Sequence, residues 1–386
     1  TNPSDYTLNN SATLTKYNDA ATIAQKVLAE VTKAAVPGAT ILSLCQKGDE
    51  LLEAETAKIY NSKGKKITKG IAFPTTVSAN DILTPYTPIA SDTEEAAIQV
   101  KDGDVLKIQL GAHIDGLPGI VSDTIVVGTP TPDQSDLILA THYSIEALLR
   151  LLLPAEVHPS NTEEKPYKPP TSYAITQTIQ KIADAYGCKV VENTTSYQIT
   201  RNEIEGKKKL VLSPGENMAK SEGAPEVGDI WGVEIWLSKG SGKSKNLPGK
   251  RATLFKKTDT KCSLKRDSAR KTYNEIQKKF GAFPFGLRQL EDERTAKMGV
   301  IELVRSNILR QFEVQGDKDG AIVSRVYITA AITKSGITKL AAPPAVDLEK
   351  ITSKHKIEDE EILKLLELPL KAESKKKKKK AAAKKD

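Results

Sequence analysis

Apolar residues recur at helical spacing over residues 14–36 (LTKYNDAATIAQKVLAEVTKAAV). Ile23, Val27, Leu28 and Val31 fall on one face there, and Pro37-Gly38 stops the run. A second helix is predicted over residues 41–60, with Leu42, Cys45, Leu52 and Ile59 inward, before Gly64 and Gly70 turn the chain into extended structure. Residues 105–110 and 120–127 are rich in β-branched side chains and flank Asp115-Gly116, which is the turn chemistry of an antiparallel hairpin. Proline and acidic residues at 130–136 open a helix through residues 137–153, and residues 170–185 repeat the pattern with Tyr173, Ile175, Ile179 and Ile182. Further strands are predicted at 189–192, 230–237, 252–256 and 321–332. Helices are predicted at 268–280, from 287 to about 312, and, as a last amphipathic segment, at 357–368. The order is mixed α and β with antiparallel hairpins, and no period of about 20 to 50 residues signals a solenoid.

At 386 residues, 39% hydrophobic and 27% charged, the chain has the balance of a globular protein with a sizeable core. No stretch approaches the roughly 20 apolar residues of a membrane helix. The N-terminal TNPSDYTLNN has neither a basic n-region nor an apolar h-region, so the expectation is a soluble, unsecreted protein with no membrane partner. Cys45, Cys188 and Cys262 are far apart and form no C-x-x-C pair, which argues against a disulfide framework or zinc knuckle and fits a reducing compartment. The formal net charge of +8 is concentrated: residues 371–386 hold nine Lys against two acids, and residues 239–271 hold twelve Lys or Arg against two Asp. Two basic segments therefore stand out from an acidic body.

Two runs carry the most chemistry, IAFPTTVSAN at residues 71–80 and VLKIQLGAHIDG at 105–116, and a third, KKFGAFPFGLRQLEDE at 278–293, is followed by MGV. Together they resemble type-two methionine aminopeptidases and their non-catalytic relatives, the proliferation-associated and curved-DNA-binding proteins, over roughly residues 15 to 345. The resemblance implies an α/β (α+β) pita-bread fold of antiparallel sheets flanked by helices. It further implies one domain over residues 14–370, with a basic loop and helical insertion at about 239–315. Residues 1–13 and the Lys-rich tail at 371–386 are expected to be disordered.

In the active enzymes of that family two Asp, one His and two Glu hold a metal pair, because carboxylates offset the charge of the cations that activate a water. The resemblance carries these five positions to Gln109, Ile120, the neighbourhood of Ser196, Glu234 and Tyr327. Gln109 brings an amide oxygen but no negative charge, Ile120 cannot ligate, and no histidine lies between His158 and His355. Asp123, three residues past Ile120, turns to the other face of a strand. The family's substrate-side His falls near Pro85, and His113 matches a scaffold His. The expectation is no catalytic residue, no metal and no cofactor, with Glu234 a hydrogen-bonded carboxylate in a vestigial cleft. His113 is expected to serve a turn, and His142, beside Tyr143, to be packed or exposed.

KGSGKSKNLPGK at residues 239–250 imitates the end of a phosphate loop. Leu237 nevertheless stands where the first glycine belongs, and Asn246-Leu247-Pro248-Gly249 is a turn rather than a helix start. A mobile basic loop is the expectation. Lys243, Lys245, Lys250, Arg251, Lys265, Arg266 and Arg270 are candidate phosphate contacts, joined by the tail lysines Lys375, Lys376, Lys377, Lys378, Lys379 and Lys380. Lys271, Lys278 and Lys279 extend the basic helix. Aromatics are only 5% and no RNA-recognition, zinc-finger or KH signature appears, so shape and phosphate contacts are expected to carry affinity. The family resemblance and the charge placement imply a non-catalytic protein of nucleus and cytoplasm that binds curved or structured DNA or structured RNA. The alternative is a ribosome-associated adaptor whose cleft, lined by Glu234, Trp231 and Trp236, holds a chain terminus. An active metallo-aminopeptidase is the remote third reading.

Overall fold

The structure is a computed structural model and describes residues 6–62, 64, 67–216 and 220–371. Helix α1 (Ser11–Ala34) begins where the Asn10 side chain accepts the Ala12 N–H, and α2 (Ile41–Ala57) where Thr40 caps Ser43. Strand β1 (Lys69–Ala79) and a short turn of helix, α3 (Thr93–Ala96), lead to the hairpin of β2 (Val105–Ile114) and β3 (Leu117–Val126). Helix α4 (Pro132–Leu151) opens on a capping box between Thr131 and Gln134 with a proline in its first turn, and α5 (Ser172–Ala185) follows. Then come β4 (Lys189–Val190), β5 (Thr194–Ile199), β6 (Lys209–Leu212), β7 (Ile230–Ser238), β8 (Ser244–Asn246) and β9 (Leu254–Lys257). The last third holds α6 (Asp267–Lys279), β10 (Phe285–Gly286), α7 (Glu293–Arg305), β11 (Leu309–Gln311), β12 (Gln315–Asp317), β13 (Val323–Thr333), β14 (Gly336–Ala341) and α8 (Glu360–Glu367).

The main sheet runs β1-β2-β3-β13-β7-β5-β6, with β14 added to β13 and β4 to β7, and each pairing is antiparallel. Side chains alternate between its faces. Leu106, Ile108 and Leu110 of β2 pack with α1 and α2, whereas Val233, Ile235 and Leu237 of β7 and Val326 and Ile328 of β13 pack with α4 and α5. The pairing register puts all of these on one face, so both helix pairs cover the same side. The other face is left to whatever the insertion can cover.

That insertion is a small unit in which β9, flanked by β10 and β11, packs against α6 and α7 through Phe255, Phe285, Ile276 and Leu303. A buried ion pair anchors it to the body. Asp49 of α2 accepts from Arg288 (2.7 Å), Gln289 (2.8 Å) and the Thr75 N–H (2.7 Å), while Arg288 also donates to Thr87 and to the Thr75 carbonyl. Each nitrogen of the guanidinium and both carboxylate oxygens have a partner, the condition under which a buried pair holds.

This anchor overturns the single helix expected from 287 to about 312. Leu287–Gln289 is a 3-10 turn, and α7 begins afresh where Asp292 accepts the N–H groups of Arg294 and Thr295. Asn307, at φ 55, ends that helix before β11. The N-terminus is also ordered earlier than expected: residues from Tyr6 are placed, with the Tyr6 ring 4.0 Å from the Arg201 guanidinium. The lysine run at 375–380 lies outside the described residues.

Candidate functional site

On the face turned away from the helices, adjacent strands align positions that the resemblance carries to metal ligands. Gln109 lies opposite Ser122, Ser122 opposite Tyr327, and Tyr327 opposite Glu234. The neighbouring row holds Gly111, Ile120, Thr329, Gly232 and Tyr197; here the Thr329 hydroxyl replaces a ladder bond, taking the Ile120 N–H (2.9 Å) and donating to its carbonyl (2.7 Å). Where ligands would converge, Ile120 and Tyr327 pack with Phe73, Ile204, Leu254 and Phe283, the last two supplied by the insertion. The Tyr327 hydroxyl lies over Gly232, where a Cβ would sit 1.8 Å from it. Only glycine fits beneath that ring.

Glu234 is the one carboxylate of the row. Burial pushes it up to about 7 against the opposing pull of the Arg325 guanidinium and of the Trp236 indole N–H, which donates to it at 2.6 Å. Ser196 does not face this row. Its hydroxyl accepts the Glu234 N–H (2.9 Å) just before the β5–β7 pairing begins at Tyr197. The cleft-facing position is Tyr197, one residue on, opposite Gly232. Trp231 is likewise removed from the cleft: it lies on the helix side, in the core, and its indole donates to Asp229 (3.4 Å).

One row further along the strands lie Lys107, Thr124, Arg325 and Trp236. Lys107 is fully buried, donates to the Asn80 carbonyl (2.6 Å), and is held well below the usual lysine range by burial. Arg325, 1% exposed, donates to the Leu83 carbonyl (2.7 Å); burial pushes it down to about 10. The Gln109 side-chain oxygen and the Arg325 Nε and Nη2 have no hydrogen-bond partner among the described residues. A metal pair does not fit this donor set. One carboxylate, an amide, an isoleucine and two tyrosines beside a guanidinium cannot neutralise two dications. Among the described residues no three of His, Cys, Asp or Glu converge as a metal-binding group. His113 serves its turn: its Nδ1 accepts the Gly116 N–H (3.3 Å), its ring stacks on Phe283 at 4.6 Å, and burial pushes it down to about 4.

The basic candidates separate into free and occupied side chains. Lys243 and Lys245 are exposed on and beside β8, which pairs with β12 and thereby brings in the exposed Lys318, a residue the sequence reading missed; the Lys245 ammonium donates to the Lys318 carbonyl (3.0 Å). The segment expected as a mobile loop contains a strand paired to the distant β12, with the Ser244 N–H on Glu192 (3.0 Å) and the Ser241 N–H on Asp319 (2.8 Å). Lys250 is taken up by Glu95 (2.8 Å) under the Tyr86 ring, so it is not a free contact. Lys265 and Arg266 present exposed side chains while Glu302 holds their N–H groups (2.6 and 3.1 Å). Arg270 folds back onto the Leu264 (2.8 Å) and Lys265 (3.1 Å) carbonyls and onto Asp267, and Arg251 faces a groove beside α7.

With this geometry in hand, comparison with known proteins is direct. Residues 15–233 match "Metallopeptidase family M24". The chain belongs to metallopeptidase family M24. Within the M24 family it is similar to the "Curved DNA-binding protein" of Schizosaccharomyces pombe, at 39% identity over 95% of this chain and 93% of that protein. The solved structure of a thermophilic Arx1 superposes with a TM-score of 0.89 at 54% identity, covering 93% of this chain and 98% of the other. A methionine aminopeptidase from Rickettsia prowazekii, an M24-like fold at 17% identity, superposes at 0.52 over 85% of this chain and 96% of its own. The pita-bread architecture and the kinship with curved-DNA-binding and proliferation-associated proteins, expected from the three motifs, are both borne out.

Proposed function

We propose that this M24 member is a non-catalytic nucleic-acid-binding protein. The observation that carries the reading is the cleft itself, where apolar packing around Ile120 and Tyr327 stands in place of a metal pair, so no water is activated. The name of the fission-yeast relative, a curved DNA-binding protein, supports nucleic acid as the partner. Lys243, Lys245, Lys318, Lys265 and Arg266 are the exposed cations offered to phosphates. Replacing Lys243, Lys245, Lys265 and Arg266 with Glu should weaken binding to curved duplex DNA and to structured RNA at least about tenfold, read by electrophoretic mobility shift. Release of methionine from a methionyl peptide, with cobalt or manganese added, should stay at background. Turnover abolished by Glu234→Gln would refute the non-catalytic half of this reading, and unchanged affinity of the charge-reversed variant the other half.

A second reading, a ribosome-associated adaptor that holds a chain terminus, draws on Glu234 and Trp236, which are only partly buried in the cleft. It predicts ribosome co-sedimentation that survives loss of the lysine tail and is lost in Trp236→Ala.

A further inference from the structure

The insertion carries a groove of about 340 Å³ between α7 and the strand side of the same unit, floored by Phe255, Val300, Ile301 and Val304 and rimmed by Arg251, Lys297 and Arg305, with Glu313, which accepts from Gln311, the one acid of its lining. Two features set it apart from the basic patches. Ile301 and the neighbouring Met298 each leave 46% of their surface exposed, an arrangement rimmed by charge that marks an interaction face. Neither Arg251 nor Arg305 has an acidic partner among the described residues, whereas Lys250 next door and Lys279 on α6 are both paired. Met298, Ile301 and Arg305 follow one another at three- and four-residue steps, so α7 presents an aliphatic stripe that ends in a guanidinium.

We infer that this groove docks an acidic amphipathic helix of a protein partner. The apolar floor takes aliphatic anchors spaced a helical turn apart, and the two free guanidinium groups take carboxylates flanking them, for which their planar fork is suited. Nucleic acid is also anionic, but phosphate contacts gain nothing from an exposed aliphatic floor, and an unpaired base would need an open aromatic face to stack on. The floor's aromatic ring, Phe255, is 2% exposed, and what it offers is aliphatic. The groove is therefore a protein-binding surface distinct from the phosphate contacts proposed above, and it places Arg251 in a different role from the one its sequence suggested.

The test uses the full chain and a fluorescein-labelled helical peptide with leucines along one face and glutamates beside them, plus the same peptide with lysines for the glutamates. The acidic probe should bind with saturable anisotropy. Ile301→Asp should weaken it at least about tenfold, a typical anchor effect, and the double variant Arg251→Glu/Arg305→Glu should lose the acidic probe and gain the lysine one. Both positions are exposed, and thermal melts matching the parent chain confirm that folding is intact. Absence of saturable binding overturns the proposal, as does an Ile301→Asp variant that binds like the parent. A single-stranded RNA that displaces the probe and depends on the arginines but not on Ile301 would reassign the groove to nucleic acid. Because the mobility-shift variants leave Arg251, Arg305 and Ile301 intact, failure here and failure of nucleic-acid binding are read separately.

Discussion

Asp123 sits on the helix side of β3, opposite in face to Ile120 as its spacing required, among His142, Glu146 and Lys339. Its carboxyl accepts the Thr124 N–H (2.8 Å), has no cation partner among the described residues, and is pushed up to about 7 by burial. A carboxyl raised in this way binds its proton more tightly folded than unfolded, so its contribution to stability declines as pH rises from about 4 through about 7. Asp123→Asn should therefore leave stability nearly unchanged near pH 4 and raise it at pH 8, by up to about 4 kcal/mol in urea unfolding. Ile120→Asp, the simplest reversal of a lost ligand, should cost about 3–5 kcal/mol, because it puts an unpaired charge among Phe73, Phe283 and Tyr327. Residue identity alone argued against Gln109 and Ile120 as ligands. It misplaced Ser196, because a strand alternates faces at each step and a one-residue slip exchanges cleft for core.

Among elements, α1, α2, α4 and α5 were legible because each buries one stripe whose 3.6-residue period is written locally, and the β2–β3 hairpin because Asp115-Gly116 marks its turn. The break between 287 and 293 was not, since what removes Arg288 and Gln289 from a helix is Asp49, 239 and 240 residues away. The β8–β12 pairing was hidden for the same reason, as was the capture of Lys250 by Glu95, 155 residues distant. The Asp49–Arg288 anchor is the element-scale feature with the largest predicted effect. Asp49→Ala leaves a buried guanidinium without its carboxylate and should destabilise the chain by about 3–5 kcal/mol. The loss should concentrate in the insertion, where amide hydrogen exchange of α6 and α7 should accelerate before that of α1 and α4.

For the whole molecule, charge sets the salt dependence of the proposed binding. On duplex DNA the logarithm of affinity should fall with the logarithm of salt by about 0.9 per phosphate contacted. Removing residues 372–386, which carry eight of the lysines, should flatten that slope by several contacts, whereas reversing Lys243 and Lys245 should remove about two. A slope that ignores both changes would place the contacts elsewhere. The apolar plug that joins Phe283 and Leu254 of the insertion to Ile120 and Tyr327 of the sheet is also a mechanical joint between the two. On the non-catalytic reading proposed above, each charged ligand put into that joint would weaken the fold before a metal pair could be held, so a gain of peptide cleavage would require several substitutions at once.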